Sequence, residues 1–76
     1  MTKDDFLRKL EQIMEVEPHT LKGGELLADL DAWDSLKLVE FLAFADEEFS
    51  LTVPPKAVGA CKTVDDLAGV LGQHVE

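Results

Sequence analysis

The triplet Asp34-Ser35-Leu36 is the one place in this chain where residue types and spacing suggest chemistry. Asp34 is suited to cap a helix that opens at Ser35. The serine hydroxyl then stands at the helix N-terminus, where free backbone N–H groups and the positive end of the helix dipole favour an attached phosphate. No basic or imidazole side chain is close in sequence to activate it, so Ser35 reads as an acceptor modified by another enzyme. An ordinary first-turn serine is the alternative that three residues alone leave open.

Other reactive residues lack partners. His19 follows Pro18, His74 is close to the last residue, and neither has a spaced ligand or dyad partner. The lone Cys61 excludes an internal disulfide and reads as a small buried hydrophobe. Asp29, Asp31 and Glu40 imitate a calcium loop, but Trp33 takes a ligand position and Asp34 replaces the turn glycine. No metal site and no catalytic residues are expected, and the chain does not read as an enzyme.

The elements that position Ser35 follow from periodicity. Phe6, Leu7, Leu10, Ile13 and Met14 form one helical stripe, with Thr2 as N-cap and Asp4 and Asp5 in the first turn. Pro18 marks the end of this helix. A connection from Glu17 to about Trp33 follows, with Gly23-Gly24 as its flexible point. Leu21, Leu26, Leu27 and Leu30 suggest that it is pinned to a core. The second helix is expected over Ser35 to Phe49, with Leu38, Leu42, Ala45 and Phe49 facing inward, flanked by Val39 and Phe41. Pro54-Pro55 opens a short helix over Lys56 to Ala60. Thr63 and Asp66 form a capping-box variant for the last helix, whose stripe is Leu67, Val70, Leu71 and Val75. With no strand alternation, the fold class is all-α, a small four-helix bundle of three main helices and one short one.

A chain of 76 residues and −9 net charge bounds the rest. It has room for a single domain, 1–76, and that charge repels phosphate backbones, which argues against nucleic acid as a partner. No apolar stretch reaches the ~20 residues of a membrane span. No basic run leads into an apolar segment at the N-terminus, so the expected compartment is the cytoplasm. Glu25 to Ser50 holds eight acids against one base, Lys37, and the flanking segments carry about −1 each. A partner's surface is therefore expected to be basic, with a generic solubilising face as the alternative.

The run from Leu27 to Glu40, LADLDAWDSLKLVE, resembles the signature of acyl carrier proteins. The likeness continues through Ala45-Asp46-Glu47-Glu48-Phe49, Val53-Pro54 and Thr63-Val64-Asp65-Asp66-Leu67. It covers residues 25–72 well, and the first helix by pattern and length. The resemblance implies that Ser35, within Asp34-Ser35-Leu36, carries 4′-phosphopantetheine delivered from coenzyme A by a phosphopantetheinyl transferase. The arm's thiol would hold acyl groups as thioesters for acyl-loading and acyl-processing enzymes with basic docking surfaces. Lys37 stands where many carriers of fatty-acid synthesis have an acid, and Trp33 where they often have a small residue. These departures favour a dedicated carrier, in a specialised fatty-acid or polyketide-type pathway, over the general carrier. The alternatives are an aminoacyl or peptidyl carrier and an unmodified acidic interaction domain.

Partners are expected to dock on the exposed line of Leu36, Glu40 and Glu47, with Lys37 tuning which is accepted; the carrier itself is expected to be a monomer. Phe44 is either a second contact or buried. Ala45 on the inner face, with the small-sided Ala57, Gly59 and Ala60, suggests room for a medium acyl chain in the bundle, unless Phe41 and Phe49 fill it.

Overall fold

The computed structural model describes residues 1–76 and is all-helical, as the periodicity predicts. Helix α1 runs Lys3–Met14, α2 Ser35–Phe49, α3 Pro55–Gly59 and α4 Val64–Leu71, with single 3₁₀ turns at Leu27–Asp29 and Gly72–His74. Caps set the starts. Thr2 and Asp5 form a reciprocal capping box on α1, and Thr63 and Asp66 form another on α4. Asp34 Oδ1 accepts the Lys37 N–H at 3.0 Å to cap α2. Pro55 sits in the first turn of α3, where its missing N–H costs nothing.

Helix α1 stops at Met14, before Pro18 can act. Glu15 turns left-handed at φ 59°, its N–H closes onto the Gln12 carbonyl and the Val16 N–H onto that of Glu11, so the cap rather than the proline ends the helix. Ser50 ends α2 in the same way at φ 51°.

The helices close on one core of 15 buried apolar residues. Phe6, Leu7, Leu10 and Met14 enter from α1, and Val64, Leu67, Ala68 and Leu71 from α4. In α2 the buried centre is Phe41, Phe44 and Ala45; Leu38, Leu42 and Phe49 lie half-buried at its edge, and Val39 is 58% exposed. The inner face is thus turned away from Val39 relative to the expected one. Contacts with α1 explain the rotation: Phe6 meets Phe41 edge-on at 6.3 Å, and Lys9 Nζ lies 5.7 Å over the Phe44 ring. Phe44 is therefore a core residue, in a row of rings that runs from Phe41 (6.1 Å, tilted) through Phe44 to Phe49 (5.8 Å, edge-on) and on to His74, stacked on Phe49 at 4.6 Å.

Two anchors hold the long connection before α2. At its start, Glu11, 2% exposed, accepts the Leu21 N–H on Oε2 at 2.8 Å, and Arg8 Nη2 donates to the Leu21 carbonyl at 3.2 Å. Arg8 Nε lies 3.0 Å from Glu11 Oε1, an ion contact whose angle falls short of a hydrogen bond. Further on, Leu26 pairs with Thr63 in an isolated antiparallel bridge, flanked by Leu27 N–H to Lys62 O and Asp65 N–H to Gly23 O, both 2.8 Å. Gly23 is not the hinge its type suggests. It is buried, its φ is +118°, and a Cβ there would lie 2.5 Å from Asp65 Oδ1. Of the four leucines in the connection, Leu21 and Leu27 are buried, Leu30 is half-buried and Leu26 is 50% exposed. The chain ends meet as well: Glu76 N–H donates to the Met1 carbonyl at 2.8 Å, and Lys3 N–H to the Glu76 carbonyl at 3.1 Å.

Candidate functional site

Ser35 is the first residue of α2 and is exposed. Of the N–H groups opening this helix, Lys37 donates to the Asp34 carboxylate and Leu38 to the Asp34 carbonyl. Those of Ser35 and Leu36 have no acceptor within the chain, so a phosphate esterified to Ser35 Oγ would meet two free donors and the positive end of a 15-residue helix. Helix length and the cap together fit a phosphodiester. The Asp34 carboxylate is engaged through Oδ1 as the helix cap. The residues present thus fit a phosphopantetheine linkage at this helix start.

The neighbouring face of α2 is mixed. Leu36 is 63% and Val39 58% exposed, an apolar pair beside the serine. Glu40 and Glu47 both face solvent, on the line that their spacing predicts. Val39 is a surface residue that the helical-wheel reading turned inward; its exposure follows from the rotation of α2 towards α1.

Lys37 is placed differently from Leu36 and Glu40. Its side chain is only 14% exposed, because it folds back to lie 3.5 Å from Glu15 at the end of α1 and 3.3 Å from Glu40. Burial pushes its ammonium pKa down, but contact with Glu40 and Glu15 outweighs this and holds it above the ordinary lysine value. Its charge is spent within the protein's own surface, and Glu40 is correspondingly part-neutralised.

The connection supporting the site, and the loop into α4 that pairs with it, carry their own electrostatics. The Lys62 and Thr63 backbone N–H groups hold the Asp66 carboxyl below its ordinary value. At Glu25, partial burial pushes upward, but N–H donors from Lys22 and Gly23, 2.7 and 2.8 Å away, leave it lowered. Cys61 is half-buried with Sγ 3.4 Å from the Ala57 carbonyl; burial, with the nearby Asp66 charge, raises its thiol pKa, the opposite of what a reactive cysteine needs. His19 is exposed, with Nδ1 against Arg8 Nη1, and His74 stacks on Phe49.

No family model matches the chain, and no solved structure matches it. An acyl carrier protein of Lactobacillus acidophilus does: it is 28% identical, and the match spans 97% of this chain and 98% of the relative. The resemblance read from residues 25–72 thus extends along nearly the whole sequence.

Proposed function

We propose, from this whole-length likeness to an acyl carrier protein, that the chain is a non-catalytic acyl carrier whose Ser35 bears the 4′-phosphopantetheine arm. The observation that carries the reading is the exposed Ser35 hydroxyl at the open, capped start of α2, within Asp34-Ser35-Leu36. A phosphopantetheinyl transferase supplies the arm from coenzyme A, and the bound arm offers a thiol on which acyl groups ride as thioesters. The protein's own residues do the rest. Ser35 gives the ester oxygen, Asp34 fixes the helix start, and the Ser35 and Leu36 N–H groups neutralise the phosphodiester. Tethering replaces free diffusion of an intermediate by a high local concentration at each partner.

Docking falls to Leu36 and Val39 as apolar contacts, with Glu40 and Glu47 steering basic enzyme mouths towards the serine. Lys37 acts through Glu40, by lowering the charge that a partner meets there. The carrier works as a monomer in the cytoplasm, and the lysine at position 37 and tryptophan at position 33 suit one specialised fatty-acid or polyketide-type pathway. No helix is long and apolar enough to cross a membrane.

The test is incubation with coenzyme A and a broad-specificity transferase, read by intact mass and peptide mapping. The expected result is one arm, on Ser35, and none on Ser35→Ala. An arm on the variant, or no arm on the native chain, overturns the assignment.

A further inference from the structure

Lys37 stands two residues after Ser35, and no other lysine or arginine lies between Lys22 and Lys56. Its Cα is at most ~7 Å along the chain from that of the serine. A lysine beside an open helix start is ordinarily a free ammonium in water. Here carboxylates from two helices hold it. Glu15, at the end of α1, lies 3.5 Å from Lys37 Nζ, and Glu40, three residues on in α2, lies 3.3 Å away. The lysine side chain is only 14% exposed, whereas those of Glu15 and Glu40 are 81% and 46% exposed. The amine is covered, and the groups that hold it are open to solvent. We infer that Glu15 and Glu40 guard the carried thioester against Lys37, which is the site of S-to-N acyl capture once these pairs are broken. The inference rests on Ser35 being the attachment residue.

The chemistry gives the guard its use. Once Nζ has lost a proton to solvent, its lone pair attacks the thioester carbonyl carbon. The N–C bond forms, the C–S bond breaks, and the sulfur leaves as a thiolate that takes up the second proton shed by nitrogen. The acyl group ends on an amide, far less reactive than the thioester, and is lost to transfer. Tethering sharpens the hazard, because amine and thioester on one chain meet at an effective concentration on the order of millimolar, however dilute the protein. Burial alone strips water from the ammonium and favours the free amine, the condition that activates nucleophilic lysines. Contact with Glu40 and Glu15 reverses this and keeps the proton on. Orientation works in the same sense. Residues two apart on a helix do not face each other, and the pull of Glu15 draws Nζ towards the end of α1.

The experiment loads Ser35 to completion from coenzyme A bearing a hexanoyl group, and then holds the chain in mildly alkaline buffer. Samples are treated with hydroxylamine, which cleaves thioesters and spares amides, and the acyl mass that remains is weighed on the intact chain. Loading is complete before the clock starts, so any effect of Glu40 on the transferase is kept out of the rate. Glu15→Gln and Glu40→Gln should each speed resistant acylation a few-fold over the native chain, and the double variant on the order of tenfold. Peptide mapping should place the acyl group on Lys37, the rate should not change on dilution, and Lys37→Arg in the double variant should abolish it. Glu15→Gln alone, at an exposed position outside the docking face, carries the test if the double variant loses its helical circular dichroism. An unchanged rate in the folded variants, capture on another lysine, or a rate that falls with dilution overturns the guard and leaves the carrier reading standing. Failure of the native chain to load Ser35 overturns the carrier reading and the guard with it.

Discussion

The start of the connection and the start of α2 lie fourteen residues apart, at Leu21 and Ser35, and are built on opposite principles. At Leu21 both backbone groups are held by side chains of α1, and one of these, Glu11, is a nearly fully buried carboxylate. At Ser35 the side chain and the first N–H groups are left to solvent. Order is concentrated where the chain must be aimed, and the residue proposed to carry the arm is energetically idle. Substitutions should therefore be severe at the anchors and silent at the serine.

The largest effect is expected at Glu11. Glu11→Ala leaves the Leu21 N–H unbonded and takes from Arg8 its one carboxylate partner near the core, and should cost about 3 kcal/mol in urea unfolding. Loss of less than about 1 kcal/mol would mean that the clamp does not hold the connection. Gly23→Ala comes next, at about 2 kcal/mol, from a left-handed φ combined with the approach to Asp65. A smaller loss arises in acid. Asp66 and Glu25 are held below their ordinary values of 3.8 and 4.5, so their contribution is present above those values and is lost as pH falls through and below them. Asp66→Asn should flatten the decline below about pH 4 in a thermal-melt series.

At the other pole, Ser35→Ala should change stability by no more than ~0.5 kcal/mol while abolishing loading. The docking face sharpens the contrast further. Glu40→Lys/Glu47→Lys should lower transferase kcat/KM on the order of tenfold at low salt, with the difference shrinking as salt rises. An unchanged kcat/KM and salt slope would make that face a solubilising surface only.

Much of this division was legible in the sequence. Thr2, Asp34 and Thr63 announce their helices because a short polar side chain has one strong use there, accepting an N–H from the first turn. The orientation of α2 was less so. Its apolar residues cover more than half of the wheel, so periodicity alone does not choose between Val39 and Phe44, and contacts with Phe6 and Lys9 make the choice. Glu11 went unread, although a signal existed: it stands four residues after Leu7 and three before Met14, inside the buried stripe. A charge on an apolar face calls for a partner, and Arg8, three residues earlier, was in reach. Lys37 was read as outward because lysines usually are; its turn onto Glu15 depends on where α1 ends, which the left-handed cap decides.

The hydrogen bonds between Met1 and Glu76 and between Glu76 and Lys3 have a use in protein engineering. They bring the two ends of the polypeptide within one strand spacing, so a linker of a few residues would join them into a ring without bending any helix. New ends could then be cut at the exposed Thr52, in the irregular segment between α2 and α3. Such a permuted chain would keep Ser35 at the head of α2 and leave the anchors at Leu21 and Gly23 uncut.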